Sequence, residues 1–318
     1  MSDDTSGTFD RDTRYITDRI VADAPAGEPA GEKVGDVTWP VEAGRYHLAA
    51  ARACPWAHRT ILVRELMGLQ DAISLGLAGP THDERSWTFD LDPGGQDPVL
   101  GIERLQEAYF NRVPDYPLGI TVPAMVDIPT TAVVTNDFDQ LSKDLATQWG
   151  ECAKPDAPEL YPEDLREEIE KINERVYPDL NNGVYQAGFA TSQSAYEDAY
   201  DRVFATLDWL EELLADRRYL VGDSITLADI RLYPTLVRFD PVYFGHFKCN
   251  RQTISSFPVL SAYLKDLWQT PGFGDTTNID QIKEHYYVVH TNVNPTQIVP
   301  KGPDMSWLDE PSGRDQLS

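Results

Sequence analysis

Two spacings of apolar residues alternate along the first half of this chain, and one of them takes over in the second half. Between Thr38 and Trp149, short apolar runs are separated by segments with apolar residues at i, i+3 and i+4. Tyr46 to Ala53, interrupted by Arg52, reads as a strand. The segment after it, with Ile61, Leu62, Leu66 and Leu69 recurring, reads as a helix. Ala72 to Leu77 is the next strand-like run. It is followed by Trp87-Thr88-Phe89, a Gly/Pro-rich insertion over Asp92 to Asp97 and a helical stretch over Ile102 to Tyr109. Ile120 to Val126 is β-branched but broken by Pro123, and a proline inside such a run demotes the strand or marks a special peptide bond. Val133 to Thr135 forms the following strand, and Asn136-Asp137 caps a helix predicted to reach Trp149.

From about Pro155 to Gly274 only the helical period remains. Leu165, Ile169, Ile172 and Val176 punctuate a charged segment. Over Ser194 to Leu214, Tyr196, Tyr200, Val203, Phe204, Leu207, Leu210 and Leu214 form one core-facing stripe. Ile225-Thr226-Leu227-Ala228-Asp229-Ile230 reads as a helix start, with Thr226 as N-cap, Asp229 three residues on, and the two isoleucines at the staple positions. The pattern predicts an α/β domain over 38–150 and an all-α domain over 155–274. They are flanked by a flexible Asp-, Gly-, Pro- and Ala-rich arm over 1–37 and a C-terminal extension over 275–318.

Composition removes some function classes. With 27 Lys and Arg against 52 Asp and Glu, the net charge of −25 argues against nucleic-acid backbones and anionic membranes as partners. Three cysteines do not make a disulfide framework. With no long apolar stretch and an acidic N-terminus, the expectation is a protein of the reducing cytoplasm. No metal is assigned to any residue set.

The chemistry centres on Cys54-Pro55-Trp56-Ala57-His58-Arg59. Pro55 suits the first helical position, where its missing N–H costs nothing. A thiol just before it meets unpaired backbone N–H groups and the positive end of the helix dipole, and His58 and Arg59 add positive charge. All of this favours thiolate. A lone cysteine is often only a small buried hydrophobe. Cys152 and Cys249 lack any such setting and read as structural or incidental, whereas the junction setting of Cys54 points to a reactive thiol. Ala57 stands where a resolving cysteine would be, so the chemistry expected is monothiol. In thioredoxin-like folds a cis-proline faces the active thiol, and the residue before it offers its backbone to a thiol peptide as an added strand would. Val122-Pro123 stands in that place, the alternative being an ordinary edge-strand proline.

A Cys-Pro thioredoxin-like domain followed by a helical domain with a Thr-Leu-Ala-Asp capping box resembles the cytosolic glutathione transferases. The closer resemblance is to the glutathionyl-hydroquinone reductases, also called xi-class glutathione transferases. It rests on the Cys54 motif, on Asn182-Gly183-Val184-Tyr185-Gln186-Ala187-Gly188-Phe189-Ala190, on Gly245-His246-Phe247-Lys248-Cys249-Asn250, on His285-Tyr286-Tyr287, and on Asn294-Pro295-Thr296 followed by Ile298-Val299-Pro300. It covers about Thr38 to Pro303.

The resemblance implies that Cys54 attacks the sulfur of a thiol-conjugated hydroquinone, and that a second thiol resolves the mixed disulfide. It places Pro55, Trp87, Val122, Pro123 and Asp137 at the thiol, Trp56 and Tyr287 at the substrate, and Tyr185 and Tyr286 as catalytic phenols at the quinol oxygen. It implies a homodimer with no tightly bound cofactor, using glutathione or another low-molecular-weight thiol as co-substrate. Two positions depart from the family pattern. Asp137-Phe138 stands where Glu-Ser is usual, and Gly119 stands where an arginine precedes the Thr-Val-Pro segment. These losses weaken a site built for a charged tripeptide and bring mycothiol into consideration. Two other readings compete: a broader omega-type thioltransferase or dehydroascorbate reductase, and a non-enzymatic binding module of the same fold.

Overall fold

The computed structural model describes residues 7–25 and 34–317. The chain divides into two compact units. One comprises residues 13–160 with 276–281; the other comprises the described residues up to Asp12, 161–275 and the chain from Ile282 on.

The sheet unit begins with β1 (Arg19–Val21) and β2 (Thr38–Pro40), which pair in parallel. Part of the arm expected over 1–37 is thus built into the unit. Ile16 and Ile20 are buried, and Asp18 accepts hydrogen bonds from the Gly35 and Val37 N–H groups and from the Trp39 indole. β3 (Tyr46–Ala50) is buried at all five positions, which explains its nearly continuous apolar run; its one polar residue, buried His47, is bonded to the Ser74 hydroxyl and the Asp97 carboxylate. It leads into α1 (Pro55–Met67), and the chain returns through β4 (Ile73–Leu77), parallel to β3. A small ribbon of β5 (His82–Asp83) and β6 (Ser86–Trp87) precedes α2 (Leu105–Arg112). β7 (Ala124–Asp127) starts directly after Pro123 and runs antiparallel to β3. β8 (Ala132–Thr135) closes the sheet, whose order is β4-β3-β7-β8, and α3 (Phe138–Thr147) follows. This βαβ–ββα arrangement is thioredoxin-like. The unit extends past the expected boundary at 150 because α1 ends on Gly68, in the left-handed region (φ 71°), with the Lys154 stem against it and the Lys154 N–H on the Met67 carbonyl at 2.9 Å.

The second unit is helical: α4 (Arg166–Val176), α5 (Gly183–Gly188), α6 (Gln193–Leu213), α7 (Leu227–Arg238), α8 (Pro258–Gln269) and, from Ile282 on, α9 (Ile279–Val289). The capping box of α7 forms as read: the Thr226 side chain accepts from the Ala228 N–H, and Asp229 accepts from the Thr226 N–H at 2.9 Å. Buried Asp229 also takes the Leu220 N–H and the Tyr263 hydroxyl. Two π-helical turns, Tyr177–Asn181 and Phe239–Tyr243, interrupt the α-helical pattern. Each contains a proline, which cannot donate, and each closes with an i→i−5 bond: Asn182 N–H to Tyr177 and Phe244 N–H to Phe239. The part of the C-terminal extension from Ile282 belongs to this unit, pinned where Gln269 donates to the Leu308 and Glu310 carbonyls.

Candidate active site

Cys54 is the N-cap of α1. Its backbone is extended, with φ −79° and ψ 120°, and its Sγ accepts the Ala57 N–H at 3.5 Å. Pro55 occupies the first helical position and contributes no competing donor. The Val122–Pro123 bond is cis, and the Cys54 thiol donates to the Val122 carbonyl at 3.4 Å. A half-buried sulfur therefore sits between a helix N-terminus and the end of a strand that starts on a proline. A negative charge on that sulfur is favoured by the helix end. The two basic residues of the motif lie inward: fully buried His58 bonds the Thr276 hydroxyl at 2.9 Å, and the Arg59 guanidinium lies over the rings of Trp56 and Phe138. Trp56 is itself buried, edge-on to Phe138.

Trp87 is the last residue of β6, buried, with its ring 4.7 Å from His82. Asp137 is the N-cap of α3 and accepts the Gln140 N–H at 3.3 Å. Burial raises its carboxyl above the usual range, and the Gln140 bond partly offsets this. Phe138 turns inward between Tyr15 and Trp56, so its ring serves the unit's packing. At Gly119 a Cβ would meet only the Thr121 methyl, at 3.9 Å, so nothing steric excludes a side chain there. Asn136, singled out in sequence only as a cap, ties three segments together: its carbonyl oxygen accepts the Ile16 N–H and its amide donates to the Thr121 hydroxyl.

In the helical unit the phenols of Tyr185 on α5 and Tyr286 on α9 meet in a short hydrogen bond, and Tyr286 also contacts the Tyr243 hydroxyl at 3.0 Å. Burial and the two neighbouring phenols hold the Tyr286 hydroxyl well above the usual tyrosine range, so it stays protonated as a donor. Of the Tyr286-Tyr287 pair, Tyr286 joins this cluster. Tyr287 is half buried, its ring 4.6 Å from His246 and its hydroxyl directed at the Pro241 carbonyl. The helical period distinguishes the two, since Tyr286 lies one turn after fully buried Ile282. Tyr243 was missed in the sequence. It ends the second π turn, two residues before the Gly245-His246-Phe247 segment, and its hydroxyl reaches Tyr286 from there. Phe189, Phe247, His246 and His290 complete the aromatic surroundings. Burial pushes the His246 imidazole down to about 4, with Lys248 adding to the effect.

The chain matches the family model of the glutathione S-transferase N-terminal domain over residues 53–148 and that of the C-terminal domain over residues 193–266. It is 41% identical to the glutathionyl-hydroquinone reductase YqjG of Escherichia coli K12, over 98% of this chain and 93% of that protein. It is 44% identical to the glutathionyl-hydroquinone reductase PcpF of Sphingobium chlorophenolicum, over 82% of this chain and 84% of that one. Among solved structures, a glutathione transferase from Gordonia bronchialis superposes with a TM-score of 0.90 at 59% identity, covering 96% of this chain and 91% of that one. A xi-class transferase from Natrialba magadii gives 0.86 at 40%, covering 95% and 89%. The glutathione-bound structure of YqjG gives 0.85 at 42%, covering 93% and 95%.

Proposed function

This chain belongs to the xi class of the glutathione transferases, the glutathionyl-hydroquinone reductases, and on that premise we propose that it reduces thiol-conjugated hydroquinones through a mixed disulfide on Cys54. The observation that carries this reading is the setting of Cys54: an N-capping sulfur beside the carbonyl that precedes a cis-proline, with alanine at the resolving position. The thiolate attacks the sulfur of the conjugate. An S–S bond forms, the bond from sulfur to ring carbon breaks, and its electron pair leaves with the quinol, whose ring carbon ends protonated. A second thiol then attacks the mixed disulfide, releases a low-molecular-weight disulfide and regenerates Cys54. The electrons come from the two thiol sulfurs.

Tyr185 and Tyr286 are the donors we assign to the quinol oxygen, where the charge of the departing ring accumulates. A protonated, buried phenol suits that role. Trp87, Val122 and Asp137 hold the thiol moiety and Tyr287 contacts the substrate; Trp56, expected at the substrate, is buried against Phe138 and Arg59 and supports the turn at Cys54 instead. The thiol we favour is one other than glutathione, with mycothiol as the candidate. Phe138 and Gly119 replace a hydroxyl and a guanidinium, and each charge-assisted bond lost is worth about 1.5–3 kcal/mol. Among the described residues no helix is long and apolar enough to cross a membrane. We place the enzyme in the cytoplasm as a homodimer.

Steady-state assays with glutathionyl- and mycothiol-conjugated menadiol, paired with intact-mass analysis of the protein after the first half-reaction, test the reading. We expect one thiol adduct, mapped to Cys54, and higher kcat/KM for the mycothiol conjugate. Equal or better turnover of the glutathione conjugate removes the thiol preference alone. Turnover of dehydroascorbate with neither conjugate accepted moves the assignment to the omega-type reaction. Tyr185→Phe and Tyr286→Phe are expected to slow conjugate reduction by roughly 10- to 1000-fold, leaving alkylation of Cys54 unchanged.

A further inference from the structure

Residues 7–12, which composition marks as part of an arm, lie with the helical unit. Positions 7, 9 and 11 are half-buried while 8 and 10 are exposed, the alternation of an extended segment with one face docked. Each docked position has its own anchor. The Gly7 carbonyl accepts the Thr191 N–H at 2.9 Å. Gly7 itself, at φ 74°, approaches so closely that a Cβ would stand 2.6 Å from the Ser192 hydroxyl. The Phe9 ring stacks on Tyr185 at 6.4 Å and contacts Phe189 at 5.3 Å. Arg11 donates from Nε to the Asn182 side-chain oxygen at 2.9 Å, and its guanidinium carbon stands 4.8 Å from the centre of the Tyr185 ring. The Asn182 that opens the Asn-Gly-Val-Tyr segment thus orients the arginine.

We infer that Gly7–Arg11 is a strap belonging to the quinol site, in which Arg11 is a positioning residue that strengthens Tyr185 as a hydrogen-bond donor to an anionic quinol oxygen. The inference rests on the reading of Tyr185 as such a donor. A cation over the face of a phenol ring withdraws electron density from it and stabilises negative charge reaching its oxygen. Several other groups surround Tyr185. Tyr286 bonds its hydroxyl; Tyr243, His246 and His290 stand around Tyr286; Arg238 acts on Tyr286 electrostatically; and Phe9, Phe189 and Phe247 are apolar. The Arg11 guanidinium stands over the face of the Tyr185 ring itself. The substrates favoured are quinols whose departing form carries full negative charge, above all rings bearing electron-withdrawing substituents.

The test compares Arg11→Gln, Arg11→Lys and Tyr185→Phe in the full chain. Arg11→Gln is expected to lower kcat for conjugate reduction roughly tenfold, the size of a partly desolvated cation–π contact, with KM for the resolving thiol unchanged. Because the protonated phenol is the working form, removing the cation moves the alkaline limb of the kcat profile to higher pH. The ultraviolet titration of Tyr185, read as the difference from Tyr185→Phe, moves with it. Arg11→Lys, which keeps the charge and loses the planar stack, falls between. If Arg11→Gln lowers thermal stability while both titrations stay in place, the strap only supports the fold and the inference is overturned. If Tyr185→Phe is itself as fast as the parent, the donor reading fails first, and the two failures are separate observations.

Discussion

Burial sets Cys249 apart from the other two cysteines, and the place at a helix start sets Cys54 apart from Cys152. Cys249 is fully buried and its thiol is pushed up to about 12, so it presents almost no thiolate at neutral pH. Cys54 is half-buried at a helix N-terminus. Iodoacetamide at neutral pH is therefore expected to label Cys54 first and Cys249 only after unfolding, as read by peptide mass spectrometry. Cys54→Ser should be as inactive as Cys54→Ala, because oxygen cannot form the disulfide intermediate. A serine variant with turnover above the alanine one removes the mixed disulfide. His246 supplies a second prediction at this scale. Its folded-state value of about 4 lies below its ordinary 6.5, so the unfolded chain binds more protons in between. Its contribution to stability is complete above about pH 6.5 and is lost as pH falls toward 4. Buried Asp229 and Asp240 are shifted upward and act in the opposite sense, so the wild-type curve alone is mixed. In urea titrations across that window, His246→Gln should flatten the acid-side loss relative to the parent chain; parallel curves would refute the assignment.

Elements carry the active groups to their places, and two of them make contrasting predictions. The α7 cap is local: Thr226 and Asp229 satisfy the first turn, and Thr226→Ala should cost about 0.5–2 kcal/mol in urea unfolding with kcat preserved. Gly188, at the end of α5, is a packing constraint. A Cβ there would fall 2.2 Å from the Phe247 ring, beside Tyr185. Relief means moving the ring at its root, so Gly188→Ala should cost about 1–3 kcal/mol and also slow conjugate reduction. A stable Gly188→Ala enzyme with parental kcat would show that Phe247 does not hold the tyrosines. The two π turns work at this scale too. Each widens the backbone by one residue next to a proline, and the second ends on Tyr243.

The whole molecule carries a charge of −25. A net charge of that sign opposes the long-range approach of polyanions, while the positive features of the candidate site are local: the helix end at Cys54 and the Arg11 guanidinium over Tyr185. The homodimer expected from the family predicts a solution mass by light scattering of twice 35.7 kDa, independent of protein concentration in the micromolar range. A mass of 35.7 kDa throughout would assign the complete site to one chain.

Sequence by itself did not show β1, which lies in the expected arm, but it determined the main elements between Thr38 and Gly274 in their order, the two fold classes, the place of Cys54 at a strand-to-helix junction and the α7 cap. All of these are written in neighbours a few residues apart, through helical period, alternation and cap chemistry. Boundaries moved where a contact at longer range overrode them, as Lys154 does against the end of α1. Tertiary structure alone decided which groups meet. Tyr185 finds Tyr286 across 101 residues, and Tyr243 finds it across 43. Arg11 finds Asn182 across 171, from a segment whose composition marks only an arm. A residue's periodicity says which face it occupies, but not what will be packed against that face. That is settled when chain closure brings distant apolar faces together, and the phenols, imidazoles and guanidinium of this site are placed by that closure.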